Sequence, residues 1–456
     1  MSVSFQDLLK KYDVQVPRYT SYPTVPSWTV TPETSAWYAE ISETLTPVDS
    51  SWALYLHLPF CENLCTFCGC NTIITKNHGH EEGYVALLLK ELDLYIQHAP
   101  EIVNRPLRQI HLGGGTPTFF SSKNLRLLVD GIFARVQRTT ADFEASLEID
   151  PRRTNQEQLK ALRDVGFDRV SLGVQDFNEK VQALINRKQP YEITADITKK
   201  ARDLGYQSVN FDLIYGLPQQ DLESMKLTIQ RTLTLRPDRI ALYSFALVPW
   251  IKPAQRIFQD SDLPTGDKKR ELYEEARRQF LAAGYVEIGM DHFALPTDSM
   301  VRSQEQGLLH RNFMGYTDIR TDLLLGLGVS SISESRKMFH QNEKLLPKYS
   351  EALAKNSVPT FRGHILNEAD LIVRERILKI MTQFQIKASS NEEAQTWRKN
   401  LESLEADGLV EWDQQLMRVT TQGRPFIRNI CSYFDEHLQK IRTQLAENQK
   451  LFSKSI

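Results

Sequence analysis

Ala53-Leu54-Tyr55-Leu56-His57-Leu58-Pro59-Phe60-Cys61-Glu62-Asn63-Leu64-Cys65-Thr66-Phe67-Cys68-Gly69-Cys70 is the stretch from which the rest of the chain can be read. Its first six residues are a short apolar run with the length of a buried strand. Its last ten hold four cysteines, whereas the remainder of the 456-residue chain holds one more, Cys431. Cys61, Cys65 and Cys68 follow the pattern C-x3-C-x2-C. Three thiolates on one short loop can hold three irons of a 4Fe–4S cube and leave the fourth iron open to an outside ligand. A zinc knuckle would close a tetrahedron with four ligands, usually as two separated pairs, and the nearby His78 and His80 form only a lone H-x-H in a polar loop. A disulfide framework fits worse still, because five cysteines in a long chain would leave one unpaired.

The alternation that begins at Ala53–Leu58 continues downstream. Apolar, β-branched runs recur at Gln109–Leu112, Glu144–Ile149, Arg169–Gly173, Ser208–Leu213 and Arg239–Phe245. Between them lie segments of helical period: Glu82–Gln97, Ser122–Gln137, Asn155–Val165, Tyr191–Leu204 and Leu222–Leu235. Six β-α units in a row predict an α/β fold with a parallel sheet and helices outside. The absence of a nucleotide-binding G-x-G-x-x-G favours a TIM-like partial (β/α)6 barrel over a doubly wound sheet. In such barrels the reacting groups sit at the carboxyl ends of the strands. The cysteine loop follows the first strand, Gly113-Gly114-Gly115-Thr116-Pro117 the second, and Glu148 and Asp150 close the third. Gln175 and Asp176 come just past the fourth, Asp212 ends the fifth, and Ala246 follows the sixth. Any one of these alone reads as a loop polar group or a helix cap; their shared position describes one convergent pocket.

The glycine run lets backbone amides approach a ligand closely, because no Cβ holds it off. It lacks the Lys-Ser/Thr of a phosphate-binding loop, so its natural partner is an amino-acid group rather than a nucleoside triphosphate. Composition is that of an ordinary enzyme. With 55 basic and 57 acidic residues the net charge is −2, and no global field favours nucleic acid or an anionic membrane. Neither a signal peptide nor a run of ~18 apolar residues is present, so a monomeric, cytoplasmic protein with no membrane partner is expected.

Four regions are expected: an arm over residues 1–50 that closes over the active site, the barrel over 51–290, a linking and barrel-extending segment over 291–364, and a mainly helical cap over 365–456. The cap's helices, Glu368–Phe384 and Glu392–Ala406, precede a hairpin through Leu409–Thr420 and resemble a winged helix. No dense basic stripe accompanies it, which favours an accessory cap over DNA binding.

The strand-borne C-x3-C-x2-C loop, with Phe67 before the third cysteine, and the Gly-Gly-Gly-Thr-Pro run resemble the radical S-adenosylmethionine superfamily. Further stretches narrow this: Pro17-Arg18-Tyr19-Thr20-Ser21-Tyr22-Pro23-Thr24, Cys68-Gly69-Cys70-Asn71, Gly173-Val174-Gln175-Asp176-Phe177, Asp212-Leu213-Ile214-Tyr215-Gly216-Leu217-Pro218, Gly289-Met290-Asp291-His292-Phe293-Ala294, His310-Arg311-Asn312-Phe313 and Arg428-Asn429-Ile430-Cys431. Together they resemble the oxygen-independent coproporphyrinogen III oxidases nearly end to end.

The resemblance implies a 4Fe–4S cluster on Cys61, Cys65 and Cys68, with S-adenosylmethionine chelating the fourth iron. Its cleavage yields methionine and a 5′-deoxyadenosyl radical, which takes a β-hydrogen from a propionate. Loss of carbon dioxide and one electron then leaves a vinyl group, and two such events convert coproporphyrinogen III to protoporphyrinogen IX in haem biosynthesis, with electrons from a donor such as a flavodoxin/reductase system. By match to the family, Tyr55, Gly114, Glu148, Ala246 and Ile332 line one S-adenosylmethionine, and Phe67, Gly115, Thr116, Gln175, Arg187 and Asp212 a second. Cys70 matches the family's fourth cysteine and is expected to act without ligating iron. A substrate with four carboxylates wants guanidinium forks, for which Arg18 and Arg311 are candidates. For Arg311 a structural ion pair is the alternative. Tyr19 and Tyr22 are expected to close over the site. One departure stands at Leu247, where relatives often carry a histidine. A haem chaperone on the same domain, and a radical methyltransferase or cyclopropanase, remain the competing readings.

Overall fold

The six apolar runs are parallel strands: β1 (Trp52–Leu58), β2 (Leu107–Gly114), β3 (Glu144–Ile149), β4 (Arg169–Gln175), β5 (Ser208–Tyr215) and β6 (Arg239–Ser244). They belong to a computed structural model that describes residues 4–138, 142–444 and 452–454. The extreme ends of the expected arm and cap, residues 1–3, 445–451 and 455–456, lie outside the described residues. Helices Glu81–His98, Ser122–Phe133, Gln156–Arg163, Tyr191–Asp203 and Leu222–Leu235 connect the strands. The second stops short of its expected end at Gln137, because the Gln137 carbonyl accepts from Leu107 N at 2.8 Å and starts β2.

The sheet extends beyond the six units on both sides. β7 (Val286–Ile288) and β8 (His292–Ala294) form an antiparallel hairpin beside β6. On the other edge β9 (Leu323–Leu327) lies parallel to β1, followed by antiparallel β10 (Ile332–Glu334), β11 (Met338–Asn342) and β12 (Thr360–Ile365). The twelve-stranded order is β12-β11-β10-β9-β1-β2-β3-β4-β5-β6-β8-β7. Leu323–Leu327 reads poorly as a strand because it is leucine and glycine with no β-branched residue.

Alternation along the strands produces two unlike faces. Ile110, Leu112, Leu147, Leu172, Phe211 and Leu242 are fully buried and join a core with Leu88, Leu92, Leu128, Leu159 and Ile229 of the helices. The opposite face carries Gln109, His111, Glu144, Ser146, Arg169, Ser171, Asn210 and Arg239, which line a cavity inside the curve of the sheet. Its floor is an ion-pair network: Gln109 donates to Glu144 at 2.7 Å, Arg169 pairs with Glu144 at 2.7 Å, and Arg239 with Asp298 at 2.9 Å.

The arm and cap share a second core. Leu8, Leu9, Tyr12, Tyr19 and Tyr22 cluster with Ile377, Ile380, Trp397, Leu404, Met417, Phe426 and the buried thiol Cys431. The cap's three-stranded sheet, Gln385–Lys387 with the hairpin Val410–Asp413 and Leu416–Val419, has the winged-helix-like form, and its expected second helix breaks at Leu401 into Asn391–Asn400 and Glu402–Ala406. Tyr19 and Tyr22 correct an expectation, since they do not lie over the cavity. The Tyr19 hydroxyl donates to Asp435 at 3.1 Å, and Tyr22 sets its ring edge against His437. The Arg428 guanidinium, donating to Pro17 O at 3.0 Å and to Val16 O, draws this part of the arm onto the cap.

The added half of the sheet is held to the barrel by one buried carboxylate. Glu91, fully buried on the helix Glu81–His98, accepts from Gly328 N at 2.9 Å, Asn342 Nδ2 at 2.6 Å and Tyr349 Oη at 2.5 Å. Burial pushes its carboxyl up to about 7, against the hydrogen bonds that favour the charge. The folded protein therefore holds a proton there that the unfolded chain releases between about pH 4.5 and 7, and stability falls as pH rises through that window. Relative to Glu91→Gln, the wild type should lose on the order of 3 kcal/mol of unfolding free energy across it. Denaturant melts of both proteins from pH 5 to 8 measure the difference, and parallel profiles would exclude a raised carboxyl.

Candidate active site

Both stems of the cysteine loop are paired before any metal is considered. Phe60–Cys61 runs parallel to Ile73–Ile74, with Ile73 N donating to Pro59 O at 2.8 Å and Thr75 N to Cys61 O at 2.9 Å. The far end is pinned by the segment after β4, where Thr66 N donates to Ile185 O at 3.1 Å and Asn186 Nδ2 to Leu64 O at 2.6 Å. Residues after β6 complete the frame: Gln255 Nε2 donates to Phe67 O at 3.1 Å and Lys252 Nζ to Cys70 O at 2.9 Å.

The glycine run lies directly against this loop. Gly115 N donates to Leu58 O at 2.8 Å and Thr116 N to Phe60 O at 3.0 Å. A Cβ on Gly115 would fall 2.5 Å from Pro59 O, and Gly114 adopts a φ of +113° that side-chain-bearing residues rarely take. A Cβ on Gly113 would meet Tyr55 and Glu148 at 3.0 and 3.2 Å.

The charges and burial around the cavity act unequally on its thiols and carboxylates. Arg152 Nη2 and Arg187 Nη1 each point at Cys65 Sγ from 3.7 Å, and both pair with Asp150, at 2.6 and 3.3 Å. Burial opposes the charge of Asp150, but the two guanidinium groups outweigh it and hold the carboxyl below the usual range. Burial pushes the Cys61 thiol up to about 12, whereas the hydrogen bond from Cys70 brings Cys68 down to about 6. Across the cavity burial works against the Glu148 charge. His111 at 3.5 Å and the Gly114 N–H at 3.2 Å overcome it and keep the carboxyl low. Asp212 behaves oppositely: burial raises it to about 6 despite hydrogen bonds from Ser171 at 2.7 Å and Asn210 at 2.9 Å.

One cavity of about 560 Å³ gathers most of the residues singled out in the sequence. Cys61, Cys65, Cys68 and Cys70 line it as free thiols, with Phe67, Gly114, Gly115, Thr116, Glu148, Gln175, Arg187, Asp212, Ala246 and Arg18. Arg18 is anchored by donating to Ser244 O at 2.6 Å, and it also borders a second cavity of about 410 Å³. Four others stand outside the lining. Tyr19 is in the cap core; Tyr55 lies behind Gly113; Ile332 packs beside Trp28 and Phe339; and Arg311, buried, stacks 4.4 Å from the centre of the Tyr316 ring. Arg311 Nε and Nη1 have no hydrogen-bond partner among the described residues. Asp176 is fully buried and turned to Gln220 at 2.6 Å and Thr228 at 2.9 Å, a structural role rather than a pocket one. Leu247, the departure from the family, joins an apolar cluster with Phe67, Tyr243 and Phe258. The sequence reading passed over His111, Arg152, Asn210, Tyr243 and His292, which all line the cavity. Every-second-residue polarity inside the strand runs was the available signal for His111 and Asn210.

A model of the Radical SAM superfamily matches residues 55–231. The oxygen-independent coproporphyrinogen III oxidases of Salmonella typhimurium and Escherichia coli K12 are 39% and 38% identical to this chain over 96% of both partners. Among solved structures, coproporphyrinogen III oxidase from Escherichia coli, described as a radical SAM enzyme, superposes with a TM-score of 0.88 at 36% identity, covering 96% of this chain and 100% of that one. The chain belongs to the oxygen-independent coproporphyrinogen III oxidases. As a radical SAM oxidase of this family it uses a 4Fe–4S cluster and S-adenosylmethionine. The site fits both, with free thiols gathered on one loop, Cys65 facing two guanidinium groups, and a glycine run packed so closely behind that loop that a Cβ would clash. No helix among the described residues is long and apolar enough to cross a membrane.

Gly115→Ala should therefore displace the cysteine loop without unfolding the barrel. A cost of about 1–3 kcal/mol is typical of such overpacking. After anaerobic reconstitution the variant should retain clearly less iron per chain than the wild type at an unchanged circular dichroism spectrum; equal iron content would refute the role given to this contact.

Proposed function

We propose that this chain catalyses the oxidative decarboxylation of two propionate side chains of coproporphyrinogen III to vinyl groups, giving protoporphyrinogen IX. The observation that carries the reading is the convergence of the C-x3-C-x2-C thiols, the glycine cradle and Arg18 on one cavity, in a chain of this family. Cys61, Cys65 and Cys68 hold the cluster through three of its irons. A cluster held there would supply the reducing electron for cleavage of S-adenosylmethionine, and with it the radical chemistry that opens a propionate β-C–H bond.

The chain's own residues bind and orient. Glu148, kept ionised by His111 and the Gly114 amide, accepts from the ammonium or ribose of S-adenosylmethionine near Tyr55, Ala246 and Ile332. Phe67, Gly115, Thr116, Gln175, Arg187 and Asp212 hold a second molecule of it. Arg187, already committed to Asp150 through Nη1 and to Gly173 O through Nη2, has a buried Nε without a hydrogen-bond partner among the described residues. The apolar cluster around Phe67 and Leu247 keeps water from that side. Arg18 offers its guanidinium to a substrate carboxylate, and Arg311, behind Tyr316, supports the charge balance of the same wall. Cys70, whose backbone N–H donates to Cys68 Sγ at 3.4 Å, acts beside the cluster without ligating iron. Tyr19 contributes by fixing the arm that carries Arg18. The protein works as a cytoplasmic monomer fed by a reduced flavodoxin-type donor. The region over residues 1–50 positions Arg18, 51–290 houses the chemistry, 291–364 widens the sheet, and 365–456 caps it.

Anaerobically reconstituted protein with reductant and S-adenosylmethionine should release carbon dioxide from coproporphyrinogen III and form protoporphyrinogen IX. Stable haem binding without decarboxylation would point instead to a chaperone. Replacing Cys61, Cys65 or Cys68 with Ser should abolish the iron–sulfur absorbance, whereas Cys70→Ser should keep it and lose activity. Loss of the cluster in Cys70→Ser would overturn the three-ligand assignment. Arg18→Ala should raise the KM for coproporphyrinogen about tenfold or more, the worth of one hydrogen bond to a charged group; an unchanged KM would remove Arg18 from the substrate site.

A further inference from the structure

A second group of metal-ligating side chains lies away from the cysteines, where the edge strand, the cap and the arm meet. His364 is the last residue but one of β12, Asp370 stands in the first turn of the helix Glu368–Gln383, and His437 in the first turn of Glu436–Gln444. One ligand atom from each lies within 4.8 Å of the others. Asp370 Oδ1 accepts from His437 Nε2 at 2.6 Å, and Oδ2 accepts from Asn367 N at 3.1 Å as part of a helix cap. That pairing accounts for two of the three residues. His364 is unaccounted for: its side chain is 4% exposed, its Nε2 stops 3.6 Å from Asp370 Oδ2, and neither ring nitrogen has a hydrogen-bond partner among the described residues. A buried polar group left in this state is costly.

We propose that His364, Asp370 and His437 form a site for a divalent transition-metal ion of the zinc class, which ties the cap to the edge of the sheet. Two imidazoles and one carboxylate are a borderline donor set that suits zinc over magnesium or calcium. Tetrahedral bonds of about 2.0–2.1 Å place neighbouring ligand atoms about 3.3 Å apart. The two contacts run to different oxygens, 2.6 Å from His437 Nε2 to Oδ1 and 3.6 Å from His364 Nε2 to Oδ2, so closing a centre takes a turn of the carboxylate and side-chain shifts of about an ångström. His437 is 21% exposed, and its solvent side gives the ion a route in and leaves a fourth position for water. Tyr22 of the arm, its ring set edge-on with the two ring centres 5.7 Å apart, covers the other side of His437.

The test uses the cluster-loaded protein, so that the cysteines are occupied, dialysed anaerobically against buffered zinc, with zinc and iron per chain measured together by mass spectrometry. About one zinc per chain with iron unchanged is the expected result, accompanied by a rise in the thermal midpoint, as for any ligand that binds the folded state alone. In His364→Ala and in His437→Gln, which keeps an amide to hydrogen-bond Asp370, zinc affinity should fall about tenfold or more while iron is retained. Zinc uptake matched by loss of iron, or equal uptake in the histidine variants, would overturn the site.

Discussion

Two backbones in van der Waals contact set the geometry of this enzyme. Gly115 lies so close to Pro59 that a methyl group there would sit 2.5 Å from the carbonyl oxygen. The contact continues the β1–β2 pairing past the end of the sheet, through Gly115 N to Leu58 O and Thr116 N to Phe60 O. It delivers the cysteine loop and the glycine cradle to the same side of one cavity. Side chains cannot substitute for it, because any Cβ would push the two loops apart. The glycine run and the cysteine loop are thus held side by side by main-chain hydrogen bonds.

Around that contact the sheet accepts an unusual interior. The face turned away from the helices carries histidines, carboxylates and arginines where a filled barrel would carry aliphatic side chains. Charges buried this way are tolerable when each has a partner. Asp150 has Arg152 and Arg187, Glu144 has Arg169, and Arg239 has Asp298 and, at 3.8 Å, Asp318. Their pairing divides the cavity into a rigid floor and a reactive rim. At the rim Glu148 stays ionised while Asp212 is raised toward neutrality, so two carboxylates in one cavity face ligands with different charge.

The arm contributes by being captured. Its tyrosines and first helix belong to the core of the cap, and the Arg428 side chain grips the backbone at Val16 and Pro17 just before Arg18. Held there, Arg18 reaches Ser244 at the end of β6 and stands between the two cavities. This segment joins cap and barrel, as do Arg374, paired with Glu334, and Tyr316, whose hydroxyl donates to Met381 O at 2.9 Å.

Strands β1 to β6, their helices and the motif positions were legible in the sequence because each is a pattern among neighbours: alternating or helical periodicity, and cysteines or glycines at fixed spacing just past a strand. The same local logic locates the thiols, the glycines, Glu148 and Asp212 at one rim. β9 escaped because leucines without β-branching carry no strand preference of their own, and it is made a strand by β1 beside it and by Glu91 bonding to Gly328, Asn342 and Tyr349. The direction of Tyr19 and the burial of Asp176 likewise depend on groups far along the chain. Sequence by itself determined the barrel's units and the chemistry at their ends. Only the tertiary structure decided which polar residues face the cavity and which are spent holding it, because those choices rest on long-range pairings that no local pattern encodes.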